Sequence, residues 1–335
     1  MKKEAMLYEK LDGGIVNCRL CAHHCRIAPG HKGFCGVREN TQGILNTLVY
    51  AEPVAMAVDP IEKKPLFHFL PGTSSYSIAT RGCNFKCGFC QNWQISQDRD
   101  LDAKGSRLRL SAQEVVKKAK NSNCESISYT YTEPTIFFEY AYDIARLAKE
   151  EEIKNVFVTN GYMTKEALEI ISPYLDAANI DLKSFKEEFY TKECRGSLQP
   201  VLDSIKLAKK LNIWVEVTTL LIPGENDSEK ELAEIAGFIA GVGKEIPWHI
   251  SRFHPDYNFL NHEPTPFAIL QKAKSIGEST GLRYIYLGNV PNQADTYCPY
   301  CGKLLVSRTY FEISQNNIKN GKCRFCRAVV DGIYQ

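Results

Sequence analysis

The stretch Arg81-Gly82-Cys83-Asn84-Phe85-Lys86-Cys87-Gly88-Phe89-Cys90 sets three cysteines at C-x3-C-x2-C. An apolar, β-prone run, Tyr76-Ser77-Ile78-Ala79-Thr80, comes just before it, so the cysteines are predicted on a loop leaving a strand. Cysteine thiolates hold iron–sulfur clusters, normally four to a [4Fe–4S] cubane. Three from one tight loop leave one iron open, and an open coordination position is where a catalytic metal takes its substrate. The competing reading is a structural zinc knuckle. Zinc prefers four ligands, and Cys83, Cys87 and Cys90 have no obvious local fourth.

With aromatic Phe89 ahead of the last cysteine, the motif resembles that of the radical S-adenosylmethionine (SAM) superfamily. The resemblance implies a [4Fe–4S] cluster on Cys83, Cys87 and Cys90, with Phe89 beside SAM. The amino and carboxylate groups of SAM would chelate the open iron. One electron from the reduced cluster would break the C5′–S bond, giving methionine and a 5′-deoxyadenosyl radical that abstracts hydrogen from a substrate. It also implies a reductant such as flavodoxin or ferredoxin, and an oxygen-sensitive activity.

The chain has 335 residues, room for one large barrel plus small appendages. A formal charge of +2 gives no global argument for nucleic acid or an anionic membrane. The first residues, Met1 to Gly14, carry no signal-peptide-like apolar region, and no apolar run is long enough to span a bilayer, so a cytoplasmic location is expected. Of the thirteen cysteines, eleven fall into three groups: 18/21/25/35, 83/87/90 and 298/301/323/326. Such grouped spacing without a secretory signal reads as metal sites, not disulfides. Cys124 and Cys194 are left over, and packing is the expected role of each.

An N-terminal module is expected over 1–73. Its Cys18-x2-Cys21-x3-Cys25-x9-Cys35 is interleaved with Gly30, Gly33 and Gly36, which let a backbone wrap a metal. Four thiolates can close a tetrahedral zinc site or hold an iron–sulfur cluster, and the spacing does not choose between them. His23, His24 and His31 read as loop residues, since four thiolates suffice. Pro53, Pro60, Pro65 and Pro71 predict an irregular linker.

From 74 to 290 the pattern alternates. Strands are predicted at 76–80, 125–130, 154–159, 177–182, 213–221, 247–253 and 283–287. Helices are predicted at 111–122, 135–150, 164–172, 198–211, 228–241 and 265–280. Such alternation implies an α/β fold of parallel strands with right-handed crossovers, and about six units give a partial (β/α)6 TIM-like barrel. Functional residues of barrels gather at the carboxyl ends of the strands, and polar residues cluster at those positions here. Glu133 follows the second strand in Tyr131-Thr132-Glu133-Pro134, where the superfamily usually has Gly-Gly-Glu-Pro for the SAM ammonium; a helix-terminal acid is the plainer reading. Asn160 ends the third strand, suited to ribose hydroxyls or to an ordinary turn. Asp181 and Lys183 lie two apart on the fourth strand and so share a face. The resemblance places them, with His249 of the sixth strand, at SAM, as in glycyl-radical-enzyme activases. Arg252 and His254 are candidate substrate contacts. Asn226 or Asp227 is expected to cap the following helix.

The C-terminal segment, 291–335, pairs Cys298-x2-Cys301 with Cys323-x2-Cys326 across 21 residues, with β-prone runs between. This reads as a zinc-ribbon-like module, with zinc as the stabilising metal.

Nearly the whole chain resembles the AmmeMemoRadiSam system radical SAM enzymes of the activase-like branch. The likeness rests on Asn17 to Cys25, Arg81 to Trp93, Tyr131 to Thr135, Ser251 to Pro255, and Tyr286-Leu287-Gly288-Asn289-Val290 leading to Cys298. It implies Memo-like and AMMECR-like proteins as partners and supplies no substrate. Two other readings stand beside it: an activase that takes hydrogen from a partner's backbone glycine, and a non-catalytic metal-binding scaffold for protein or RNA.

Overall fold

A computed structural model describes residues 2–97, 108–291 and 294–334. Its centre is an eight-stranded sheet whose strands follow one another in sequence order. The strands are β1 (Ala55–Pro60), β2 (Ser74–Ala79), β3 (Ser126–Tyr129), β4 (Lys154–Thr159), β5 (Ala177–Asp181), β6 (Trp214–Leu221), β7 (Trp248–Arg252) and β8 (Ile285–Gly288). Strands β2 to β8 are parallel, and β1 runs antiparallel on the edge. Between the parallel strands come helices α1 (Ala112–Asn121), α2 (Phe138–Glu150), α3 (Lys165–Ile171), α4 (Gln199–Lys210), α5 (Glu229–Val242) and α6 (Phe267–Ser279). The six strand–helix units and the seventh parallel strand follow the predicted pattern.

Strand β1 is the exception. The prolines around it predicted an irregular linker inside the N-terminal module, yet Ala55–Pro60 joins the barrel sheet. An edge strand tolerates this, because a proline at its end costs no ladder bond that a central strand would need.

Side chains alternate across each strand. One face is apolar and meets the helices: Ile78 of β2, Ile127 and Tyr129 of β3, Val215 and Val217 of β6, Trp248 and Ile250 of β7 are all buried in the main core. The other face is polar and lines the barrel interior. There the Ser75 and Ser128 hydroxyls lie 2.6 Å apart, and Thr218 Oγ1 donates to Asn179 Oδ1 at 2.9 Å. Helix α1 starts at the Ser111–Glu114 capping box that the sequence predicts, and Thr164 caps α3. The cap of α5 is Ser228, not Asn226 or Asp227. Asn226 is fully buried instead, and its amide donates to the carbonyls of Lys183 (2.6 Å) and Leu220 (2.8 Å), tying the ends of β5 and β6 together.

A plug, Pro65 to Leu70, closes the amino end of the barrel. Both oxygens of Glu216, on the inner face of β6, accept backbone N–H groups from it: Phe67 at 3.0 Å and His68 at 2.8 Å. The C-terminal segment reaches the same plug. Arg308, on β9 (Leu304–Thr309), donates to the Phe67 carbonyl at 2.8 Å, and the Leu70 N–H donates to Ile333 O at 2.7 Å.

Candidate active site

The carboxyl ends of the strands surround a cavity of about 430 Å³. Cys83, Cys87 and Cys90 stand at it, on the loop that follows β2. Two features hold that loop. Gly82 adopts φ +96°, and a Cβ there would come within 2.7 Å of Val37 Cγ1, so the turn needs glycine. The segment Tyr190–Cys194, wound as a π-helix, docks on the loop: Lys86 N–H donates to Cys194 O at 2.8 Å and Gly88 N–H to Glu193 O at 3.2 Å. Such π segments often mark functional sites.

The sequence expected Cys194 to be a packing residue. It is fully buried, and its thiol lies against that of Cys87; this contact, then burial, pushes the Cys87 thiol well up. Burial likewise pushes the Cys83 thiol far above its usual value. Thiols held in this way ionise readily only when a metal takes up the charge. The Cys83 sulfur accepts from Phe85 N–H at 3.3 Å, and Cys90 Sγ lies 3.2 Å from Ser96 Oγ.

Beside the thiols, Lys183 Nζ meets Asp181 Oδ2 at 2.7 Å, and both line the cavity. Burial alone would depress the Lys183 ammonium; the facing Asp181 carboxylate reverses this and holds it well above its usual value. Phe89 also lines the cavity, its ring 5.8 Å from Lys183 Nζ. Asn160 completes this wall, and its amide donates to Asn84 Oδ1 at 2.7 Å, which fixes it beside Cys83. Cys83, Cys87, Cys90, Phe89, Asn160, Asp181 and Lys183 are thus brought together.

Four other candidates sit elsewhere. Glu133 is fully buried, outside the cavity wall. It caps the short helical turn Pro134–Phe137, and its oxygens accept from Thr135, Thr159 and the Asn160 N–H (2.8 Å). Burial raises its pKa despite those bonds. His249 faces the barrel interior one layer below the cavity. Its Nε2 lies 2.6 Å from Glu216 Oε2, and its ring contacts Phe67 and Tyr286. Arg252 falls on the opposite face of β7, with Trp248 and Ile250, and its Nε donates to Thr265 O at 2.9 Å. His254 is exposed beyond the strand end.

Sequence reasoning missed the far wall. Asp59 of β1 accepts from Lys64 Nζ (2.7 Å), Ser77 Oγ (2.9 Å) and the Tyr131 hydroxyl, and Lys64 and Tyr131 line the cavity. Burial opposes ionisation of Asp59, but Lys63, Lys64 and Tyr131 hold its carboxyl well below the usual range. Tyr131 sits at φ +64°, a conformation natural to glycine at this position, and its hydroxyl bond to Asp59 helps hold it there. The available signal was Asp59 itself, a lone acid amid the apolar residues before Pro60.

The two terminal cysteine groups differ in geometry. Among the described residues, Cys298, Cys301, Cys323 and Cys326 form a group whose sulfurs all lie within 4.8 Å of one another. The N-terminal Cys18, Cys21, Cys25 and Cys35 line a small enclosed void and form no such tight group.

Residues 77–236 match the Radical SAM superfamily. Over 98% of its length the chain is 45% identical to an uncharacterized protein of Methanocaldococcus jannaschii, covering 99% of that protein. It is 29% identical to a putative glycyl-radical enzyme activating enzyme of the same organism, over 65% of this chain and 80% of that one. Among solved structures, a radical SAM methyltransferase from Sphaerobacter thermophilus shares the fold, with a TM-score of 0.52 at 16% identity over 70% of this chain and 71% of that one.

Proposed function

We propose that this enzyme, whose residues 77–236 form a Radical SAM superfamily domain, binds SAM in its cavity against a [4Fe–4S] cluster on Cys83, Cys87 and Cys90. The observation that carries this is the meeting of three loop thiols with Phe89, Asn160, Asp181 and Lys183 around one cavity. The donor set fits. The three thiols suit a cluster with one open iron, and an ammonium–carboxylate pair beside them matches the charged ends of an amino acid. When bound, the cluster and SAM supply one-electron cleavage of the sulfonium and a 5′-deoxyadenosyl radical that abstracts hydrogen from the substrate.

The chain's own residues prepare that chemistry. Lys183 presents a fixed positive charge to the SAM carboxylate, and Asp181 orients it. Asn160 is held at the cluster loop, where its amide can meet ribose hydroxyls. Phe89, packed on Phe189 and Phe259, keeps water from the thiols on its side. The buried Glu133 serves as a positioning residue that fixes the Asn160 backbone. Arg252 and His254 act on substrate only if it extends past the strand ends.

At the C-terminal group, Cys298 and Cys326 sulfurs lie 3.7 Å apart and those of Cys301 and Cys323 3.8 Å apart. A zinc–sulfur bond of about 2.3 Å sets tetrahedral sulfurs about 3.8 Å apart, which supports a structural zinc there. Partners in this reading are a flavodoxin- or ferredoxin-class reductant and Memo-like and AMMECR-like proteins. The relatives named as activating enzymes favour a second reading, in which the hydrogen comes from a glycine of a partner protein; a glycyl EPR signal on a co-purified partner would select it.

Reconstituted, dithionite-reduced protein incubated with SAM should release 5′-deoxyadenosine. An intact cluster by absorption and EPR with no release would refute the proposal.

A further inference from the structure

Cys18, Cys21, Cys25 and Cys35 close around a small void whose other walls are apolar except for Arg38. Cys18 is buried and the other three are half-buried, and an interior normally fills an apolar void with side chains. The arrangement differs from the one at the other end of the chain. There two sulfur pairs stand at the edge length of a single tetrahedral ion; among the described residues, the N-terminal four form no group that tight. The polypeptide is tight immediately outside the void. A Cβ on Gly33 would meet Ile27 Cδ1 at 3.1 Å and Cys25 Sγ at 3.7 Å.

Charge points the same way. Arg38 is 2% exposed and lies against the void. Its Nη1 is 3.6 Å from Cys18 Sγ, and its Nε has no hydrogen-bond partner among the described residues. A buried guanidinium with an unused donor is costly unless an anion faces it. Glu139 neutralises one side of it, and a four-thiolate iron–sulfur cluster, net negative, would face the other.

The void also abuts the SAM-cluster loop. A Cβ on Gly82, the neighbour of Cys83, would meet Cys35 O at 3.2 Å. His23, between Cys21 and Cys25, bonds the Asn84 carbonyl at 2.6 Å through Nε2 and packs on Phe34 and Tyr162.

We propose that Cys18, Cys21, Cys25 and Cys35 hold a second [4Fe–4S] cluster, closed by four thiolates and therefore unable to bind SAM, through which the electron reaches the first. The site stands on its own residues; the relay rests on the reading given above. A ferredoxin- or flavodoxin-class donor gives one electron to the second cluster, which is reduced by one. That electron passes to the Cys83 cluster, which is reduced as the second is reoxidised, and no proton or group moves.

The test is a Cys83→Ala/Cys87→Ala/Cys90→Ala variant, reconstituted anaerobically with iron and sulfide. It should retain about four irons and four sulfides per chain, with an EPR spectrum that does not change on adding SAM. Wild-type protein should hold about eight irons, with the Mössbauer response to SAM confined to the Cys83 cluster and centred on its one open iron. When fully reduced, its EPR signal should be broadened by coupling between the clusters, and the broadening should be absent in the variant. Zinc in place of iron in the variant, or about four irons in wild type belonging to one SAM-binding cluster, overturns the second cluster. Two clusters whose reduced signals simply add overturn the relay. Wild type that holds both clusters yet releases no 5′-deoxyadenosine refutes the proposed function while leaving the second cluster standing.

Discussion

Glu216→Gln tests the account of the barrel floor. Each Glu216 oxygen accepts two buried donors: Oε1 takes His68 N–H at 2.8 Å and Trp214 Nε1 at 3.0 Å, and Oε2 takes Phe67 N–H at 3.0 Å and lies 2.6 Å from His249 Nε2. Burial works against ionisation of Glu216, yet the His249 bond and the backbone donors keep its carboxyl below the usual range. Glutamine has the same shape but must put an NH2 where one oxygen stood. If it replaces Oε2, His249 can switch tautomer and accept, and the Phe67 N–H is stranded. If it replaces Oε1, both the His68 N–H and Trp214 Nε1 are stranded. A stranded buried donor costs about 1–3 kcal/mol, and the bonds that remain lose their charge assistance. The better orientation therefore loses about 2–4 kcal/mol, which for a chain of this size lowers the melting temperature by roughly 3–6 °C. Differential scanning calorimetry of E216Q beside the surface control E234Q measures it. A loss below about 0.5 kcal/mol, or one equal to the control's, would show that Glu216 does not hold the plug.

Other outcomes follow from the same geometry. Lys183→Ala should cut SAM-dependent 5′-deoxyadenosine release at least tenfold with iron content unchanged, because Asp181 is left to repel the SAM carboxylate; unchanged release at sub-saturating SAM would refute the pairing. His68 is fully buried, and burial lowers its pKa from 6.5 to about 4 despite the Glu216 charge and the Asp331 carbonyl. Between those values the unfolded chain binds a proton that the folded chain refuses, so this contribution is complete above pH 6.5 and is lost on acidification toward pH 4. The loss reaches up to about 3 kcal/mol, and His68→Gln should flatten that part of the wild-type stability profile; identical profiles would contradict it. Cys298→Ser should abolish the zinc proposed at the C-terminal group and loosen 298–330 by hydrogen exchange, whereas retained zinc at full occupancy would refute the tetrahedral assignment.

Much of the framework was legible in the sequence. Strand–helix alternation carries its own period, and Ser111, Thr164 and the three thiols of the cluster loop act through neighbours a few residues away. What escaped detection depends on distant partners. Glu216 reads as one acid in an apolar strand, and its ligands come from residues 67 and 68. Asp59 meets Tyr131 across the sheet edge, which sequence periodicity does not report. His249 was expected at SAM because its strand position matched. Alternation put it on the right face, but the depth along the strand, set by the plug, put it beside Glu216 instead. Arg252 was one residue out of phase with the inner face. The inward run Ser75, Ser77, Ser128, Asn179, Glu216, Thr218 was the readable sign that this barrel's interior is polar and hydrogen-bonded rather than apolar.

Arg308 ties the C-terminal segment to the plug. Its guanidinium stacks 4.5 Å over Phe67, the same ring that His249 and Tyr286 grip from above, and bonds the Phe67 carbonyl. Cutting the chain before residue 291 would therefore unseat the barrel's base as well as remove a tail. An isolated catalytic fragment is the wrong object to purify, because the C-terminal segment grips the floor beneath the reaction chamber through Arg308 and through the Leu70–Ile333 and His68–Asp331 bonds.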